Sequence, residues 1–527
     1  MHWLDRALLP FAPEWVARRI AWRTRTALMT RHYEAASTGY RTQGWVRAGT
    51  DPNAAVGSAG TRLRESARDL VRNNAYAEAA VSTIVDHAVG TGLVAKPYET
   101  TLRSRVSRDT VRAQWQRWAD TTACDADGRL DMAGIQKLVM RTVVESGECL
   151  IRRRIRRPED GLPIPLQLQV IEPDHLDHLK DESFSVDGVV VRRIIQGIEF
   201  DALGHRAAYW LLPEHPGAST AGGMGTALSA SRRVPAEDVL HVFRPGRPGQ
   251  VRGVTWLAPV ILRLKELDEF QDATLMKQKI AACLAVLTTD TDGTSPALGG
   301  SDPASPSLDL LSPGIIANIA PGRQVTVVDP PAVNEHAAYV NSELRAIAVG
   351  IGVTMEDLTG DYANMPFSAA RMSRLRHWAR VDDWRWRMLI PQFCDPVWRW
   401  AMQAGQIMGV GDMELGAEWT CPPPPMIDPA AEGLAYQRNI RSGIMTLSEA
   451  IRERGYDPDA LLKEMADDWK KIDKLGLVLD CDPRKMTQAG QAQAQPSAQT
   501  PAEPEEAMAS VNGYANGTNG HRGAYQW

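Results

Sequence analysis

Between Pro163 and Phe243 the helical periodicity of the flanking segments gives way to short β-type runs punctuated by Pro, Gly and Asp. A chain that reads as helices, then strands, then helices is constrained to an α+β fold. The runs Leu166–Ile171, Val189–Ile195, Ile198–Phe200, Ala207–Leu212 and Val239–Phe243 are rich in β-branched and aromatic residues and predict an antiparallel β-rich module. Ahead of it, helices are expected over Arg62–Arg72 and Ala75–His87, broken at Asn73-Asn74, then over Arg108–Asp120 and Met132–Ser146, leading into a strand-like Glu148–Ile155. Behind it, Arg244–Gly253 is a turn-rich hinge, and Thr255 is expected to cap a long helix to about Leu287, with Pro259 tolerated in its opening turn. The charges of that helix alternate in sign, as on an exposed or subunit-facing surface.

A loop and hairpin follow over 291–343, the hairpin formed by Ile315–Ile319 and Gln324–Val328. The stretch 344–408 reads as helix, loop and long helix. Its loop, Gly360–Ala370, carries turn chemistry in Asp361 and Asn364, while Pro366 sets the entry to the second helix and Ser368 can act as its N-cap. That helix interleaves Arg371, Arg374, Arg376 and Arg380 with Trp378, Trp384 and Trp386, and has no Gly or Pro before Pro391. Cations along a helix flank suit contact with a polyanion; an exposed helix face or inter-subunit ion pairs suit the same residues. The tryptophans, Trp398 and Trp400 included, read as packing residues. After Pro422–Pro425, helices over Ala430–Arg441, Ser448–Arg454 and Pro458–Lys471 make an end domain, and the Gln/Ala/Pro/Glu and Gly/Asn composition from Thr487 onward predicts a disordered tail.

Composition removes several function classes. The 527 residues are 44% hydrophobic and 23% charged, without the roughly 20-residue apolar run of a membrane helix. Met1-His-Trp-Leu-Asp-Arg lacks a secretory pattern, which puts the chain in a cytoplasm. Six cysteines without a C-x-x-C pair give no disulfide framework and no zinc site. A net charge of −5 counts against tight sequence-independent DNA binding, but not against a surface past which DNA slides.

No chemical motif survives inspection. Ala123–Gly134 lacks the first carboxylate and the bidentate Glu of a calcium loop, leaving an Asp-Gly turn. Asp174-His-Leu-Asp-His178 offers metal-type side chains in what reads as a surface loop, and the basic run Arg152–Arg157 reads as a strand edge with solvated charges or phosphate contact. There is no P-loop and no G-x-S-x-G nucleophile elbow. Neither a cofactor nor a catalytic residue is assigned.

Arg64–Asn74 with Val89–Leu93, Val144–Glu148, Leu168–Leu176, Val234–Phe243, Gly253–Pro259 and Gly352–Gly360 with Ser368–Arg371 occur in an order that resembles the lambda-type family of tailed-phage portal proteins, over roughly Arg62 to Lys471. The resemblance implies an elongated subunit of a homo-oligomeric ring, typically a dodecamer, at one capsid vertex of the virion. Double-stranded DNA would be packaged and ejected through it, and assembly would take place in the bacterial host cytoplasm. It implies docking to terminase, major capsid protein and head-tail connector proteins, no enzymatic activity and no membrane.

In this chain it implies a basic arm over 1–60, a helical wing portion over 61–160, a β-rich wing/clip region over 161–254, a stem helix over 255–290, and a helical crown-side region over 409–486 before the tail at 487–527. Asp361, Tyr362, Ala363, Asn364, Met365 and Pro366 become the tunnel loop, and Arg371, Arg374, Arg376 and Arg380 the DNA-facing or inter-subunit cations. The loop lacks Lys and Arg, which fits sliding contact rather than phosphate gripping. Two other readings are a metal-dependent nucleic-acid-processing enzyme built on Asp174, Asp177 and Asp181, and another head-tail adaptor ring, for which the chain is long.

Overall fold

The computed structural model describes residues 49–99, 106–186, 189–218, 230–282, 286–288, 316–318, 336–363 and 365–477, with isolated positions at 14, 17–19, 21, 22, 44, 479 and 484. The expected tail and most of the basic arm lie outside the described residues. The fold is α+β. Residues 1–456 form one compact unit and 457–527 a second.

Helix α1 (Pro52–Asn73) starts ten residues earlier than the expected Arg62, because Asp51 accepts from Asn53 N at 3.1 Å and Pro52 takes the first helical position. Asn74 ends α1 and caps α2 (Ala75–Ala88), its Oδ1 accepting from Tyr76 N and Ala77 N at 3.0 and 3.1 Å. After β1 (Val94–Glu99) come α3 (Arg108–Ala119), capped by Ser107, and α4 (Met132–Ser146), capped by Asp131. Trp115 of α3 packs against Trp118, Trp398 and Trp419, with ring centroids 5.2, 4.8 and 6.3 Å apart. Three of these indoles find hydrogen-bond partners in the interior: Trp118 donates to Leu166 O, Trp398 to Leu415 O and Trp419 to Asp395 Oδ1. Packing is thus the role of most of the tryptophans. Among the described residues Trp386 and Trp22 are exposed, at 54% and 70%.

Strands β2 (Glu148–Ile155), β3 (Leu166–Ile171) and β9 (Val239–Phe243) form a three-stranded antiparallel sheet in the order β3-β2-β9. The expectation of a strand edge for Arg152–Arg157 is therefore corrected at Arg152 alone, since Arg153–Ile155 pair only with β3. Leu150, Ile151 and Arg152 are paired on both sides, and the arginines beyond are spoken for by neighbours: Arg153 by Asp238, Gln403 and the Trp400 ring, Arg154 by Gln169, and Arg156 by Gln167. A second sheet is a five-stranded meander of β4 (Glu182–Val186), β5 (Val189–Ile195), β6 (Ile198–Phe200), β7 (Arg206–Leu211) and β8 (Arg232–Pro235). Its β5–β6 turn, Gln196-Gly197, has φ of 48° and 80° at the two central residues, as a two-residue hairpin with primed-turn geometry demands.

One buried carboxylate ties the sheets to the helices. Glu148, at the start of β2, accepts from Arg252 Nη2 at 2.5 Å, from Gly253 N at 2.8 Å and from His241 Nε2 at 2.9 Å, with Arg64 Nη1 at 3.8 Å. Glu148, His241, Arg252 and Arg64 are all under 9% exposed. Burial alone would raise the Glu148 pKa, but the Arg252 charge and the His241 hydrogen bond outweigh it and hold the carboxyl well below its usual range. His241 is pushed by burial down to about 4, against the pull of Glu148. It is therefore the neutral tautomer that donates from Nε2 to Glu148 and accepts at Nδ1 from Arg206 Nη1 (3.0 Å). Two glycines allow the close approach. Gly147 has φ of 92°, and a Cβ there would lie 2.5 Å from Thr255 N; one on Gly253 would meet the Gly147 carbonyl.

Thr255 does not cap the long helix. It is buried, its hydroxyl accepting from Leu257 N (3.2 Å), and α5 runs over Ile261–Ala282. Pro259 disfavours helical backbone at Ala258, so the regular helix begins after it. Strand β10 (Val286–Thr288) pairs in parallel with β11 (Ile316–Asn318); the expected hairpin partner Gln324–Val328 lies outside the described residues. Helices α6 (His336–Ile351), α7 (Met355–Thr359) and α8 (Phe367–Trp384) follow.

Pro391 does not end the helical run: Arg385–Cys394 is π-helical and leads directly into α9 (Asp395–Ile407). The wider turn changes the backbone pairing where proline has no N–H to give. Strand β12 (Leu415–Thr420) returns to pair antiparallel with β1, Val94 opposite Thr420, and Pro97 is tolerated in a two-stranded sheet where each strand has an open edge. Helices α10 (Pro429–Arg441) and α11 (Leu447–Glu453) close the first unit, and α12 (Pro458–Leu475) belongs to the second, so the expected end domain is divided at Tyr456. No helix among the described residues is long and apolar enough to cross a membrane.

Candidate functional site: the 361–366 loop and the helix behind it

The loop is built from its caps. Gly352, with φ of 99°, ends α6, and Thr354 starts α7 by accepting from Asp357 N at 3.1 Å. Gly360, in the left-handed region at φ of 71°, ends α7 after five residues. Thr359 Oγ1 then accepts from Asp361 N at 3.2 Å, and Asp361 Oδ1 from Ala363 N at 3.0 Å, an Asx turn. Tyr362, 56% exposed, donates its hydroxyl to Asp357 Oδ1 at 3.1 Å, tying the loop to the short helix. Asp361, Ala363 and Pro366 are exposed, Met365 is half-buried, and Asn364 lies outside the described residues. Pro366, not Ser368, occupies the N-cap position of α8, and no side chain caps that helix.

Along α8 the buried residues are His377, Val381 and Trp384, a stripe at helical spacing. The arginines lie off that stripe: Arg371 and Arg376 are exposed, Arg374 and Arg380 half-buried. None of the four makes an ion pair or hydrogen bond among the described residues, and Arg374 Nε is buried without a partner. The fold separates them. Arg371 and Arg374 line a cleft of about 360 Å³ together with Trp378, Pro424, Tyr436 and Arg454. Arg380 instead reaches Gly352, where an added Cβ would stand 3.3 Å from its Nη1.

Beneath the loop, His87 Nδ1 and His377 Nε2 face each other at 2.8 Å, and Asp357 brings a carboxylate into the same group, the three ligand-type atoms lying within 4.8 Å of one another. Burial lowers the pKa of both imidazoles, that of His377 to about 4, so the pair is neutral at pH 7 and one ring donates to the other. Arg385 is 2% exposed: it donates to His87 O at 2.7 Å and Ala88 O at 2.8 Å at the end of α2, and it sits 5.1 Å from the Trp378 ring. Sequence reasoning missed this cluster. The buried spacing 377, 381, 384 was available as a signal, but nothing local links His377 to His87, 290 positions away.

The residues of the enzyme reading do not converge. Asp174 pairs with Arg68 (2.7 Å) and Arg64 (3.5 Å), Asp177 accepts from Ser231 Oγ (2.7 Å), and Asp181 accepts from Gln196 N (2.8 Å). Asp174 groups instead with Glu172 and His215. Of the two histidines of that motif, His175 Nδ1 bonds Leu212 O at 3.1 Å, and burial lowers the pKa of His178. The Asp125 carboxylate accepts from the amides of Asp127, Arg129 and Leu130, which makes the Asp-Gly segment a turn that consumes its own acceptor.

The profile described as "Phage portal protein, lambda family" matches residues 38–385, the stretch that holds the loop, the four arginines and the Glu148 hub. This chain belongs to that family. The "Probable portal protein" of Halomonas phage phiHAP-1 is 24% identical over 443 residues, covering 79% of this chain and 81% of the relative. "Portal protein B" of Escherichia phage lambda is 24% identical over 389 residues, covering 66% and 70%. Among solved structures, a "Neck of native GTA particle computed with C12 symmetry" superposes with a TM-score of 0.38 at 12% identity over 79% of this chain and 98% of that one. Family membership stands on the sequence matches. The chain is a structural portal protein, from a family of structural proteins.

Proposed function

We propose that copies of this chain assemble into the homo-oligomeric ring, a dodecamer, that occupies one capsid vertex of the virion and passes double-stranded DNA during packaging and ejection. The observation that carries the reading is the family match over residues 38–385. Uncovered apolar side chains on the helices suit neighbouring copies: Leu262 of α5 is 73% exposed, Val349 of α6 74%, Met372 of α8 68% and Leu375 59%. In this account 255–290 is the stem, 61–160 belongs to the wing, 161–254 to wing and clip, and 409–486 to the crown side. Assembly takes place in the host cytoplasm, where the clip meets terminase and later the head-tail connectors, and the wing meets major capsid protein.

The loop Asp361–Pro366 would line the channel, with Arg371 and Arg374 behind it supplying attraction. Those arginines make no ion pair among the described residues, while the loop itself is acidic at Asp361 and otherwise uncharged. Attraction set back from the contact surface is screened within about 10 Å at 0.1 M salt, so DNA is guided without being held. The chain performs no chemistry in this mechanism; the terminase supplies the force. Negative-stain imaging of the purified full-length chain tests the reading. Closed rings are expected, and a strictly monomeric species at every concentration would overturn it.

A further inference from the structure

We propose that His87, Asp357 and His377 form a binding site for a single divalent transition-metal ion of the zinc class, which fastens the 361–366 loop to the helical core. Three separate elements converge there: His87 from the last turn of α2, Asp357 from α7 and His377 from the buried stripe of α8. Their candidate ligand atoms lie within 4.8 Å of one another. Two imidazoles and one carboxylate are the donors that zinc accepts at an open site, with water in the fourth position. His87, half-buried, leaves that position a route to solvent.

The facing nitrogens, His87 Nδ1 and His377 Nε2, are 2.8 Å apart, so one of them carries a hydrogen pointed at the other. Zinc–nitrogen bonds of about 2.0–2.1 Å at a tetrahedral angle need the two nitrogens about 3.3 Å apart, a shift of roughly half an ångström. The hydrogen of the donating ring moves to its other nitrogen, so two neutral ligands result and no proton is released. His377 Nδ1 is buried without a hydrogen-bond partner, so the metal-free pair leaves one nitrogen unsatisfied in any case. The Tyr362 hydroxyl, on Asp357 Oδ1 at 3.1 Å, orients the carboxylate from outside, as second-layer donors do at metal sites. That bond also makes the loop part of the site.

The site is independent of the ring assignment, and its test is direct. Tag-free full-length protein, stripped with chelator, is titrated with Zn²⁺ by calorimetry and followed by thermal melting, with Mg²⁺ as the control ion. One Zn²⁺ per chain with a rise in melting temperature is expected, and Mg²⁺ produces neither. His87→Gln and Asp357→Asn, both at positions that are not fully buried, abolish the Zn²⁺-induced rise, each variant being compared with its own metal-free melting temperature. Tyr362→Phe weakens Zn²⁺ about 10-fold. His215→Gln, in the other grouping of metal-type side chains, leaves binding intact. Absence of stoichiometric binding, or binding that survives His87→Gln and Asp357→Asn, would overturn the proposal.

Discussion

The buried hub at Glu148 and the outer face of α8 both carry arginine, and they treat it in opposite ways. At the hub, Arg252 and Arg64 are nearly inaccessible and face one carboxylate that also holds His241 and a backbone amide. On α8, Arg371, Arg374, Arg376 and Arg380 have no anionic partner among the described residues. Charges paired in the interior hold modules together, since an uncompensated buried charge is costly. Cations left unpaired at a surface contribute little to folding. They remain available for something outside the chain, a neighbouring copy or DNA.

The largest expected effect breaks the first half of that contrast. Glu148→Gln removes the charge that Arg252 and Arg64 face and should lower unfolding free energy by about 3–5 kcal/mol, seen as a lower guanidinium midpoint. A loss below about 1 kcal/mol would mean that the hub does not join the sheets to the helices. Acid should act on the same place with a smaller effect. His241 titrates at about 4 in the folded chain against 6.5 unfolded, so the unfolded state takes up the proton first. The melting temperature should therefore fall as pH drops from about 6.5 to 4. It should fall further as the Glu148 carboxylate, whose pKa is lowered from 4.5, gives up its contribution in more acidic solution. His241→Gln should flatten the upper part of that slope, and a slope unchanged in this variant would assign the acid sensitivity to other groups.

Legibility in the sequence followed the range of the interaction. The bounds of α4 and β2 were readable because Asp131 and Gly147 punctuate them and an apolar run follows, and the loop was readable because Gly360 and Pro366 bracket it. The β1–β12 pair joins strands more than three hundred positions apart with no hairpin signal, and Pro97 argues locally against a strand. The long helix expected to 408 does run through Pro391, but the π-helical turn that absorbs the proline carries no local sequence signal. Of the candidate site, the arginines were visible as a flank, but not their division between the cleft and Gly352, which depends on α10, α11 and the end of α6. Glu148, Arg252, His87 and His377 were invisible as sites because each acquires its role only from residues remote in the chain.

The smallest expected effect on folding carries the most about function. Replacing the exposed Arg371 by Ala should change stability by no more than about 0.5 kcal/mol, and replacing the half-buried Arg374 with it should add only the lost packing of its stem, about 1 kcal/mol. Packaged DNA per particle, measured by nuclease protection when the double variant replaces the native chain during assembly, tests the working surface directly. The account predicts intact rings with reduced packaging or retention of DNA. Full packaging by intact rings of R371A/R374A would contradict it.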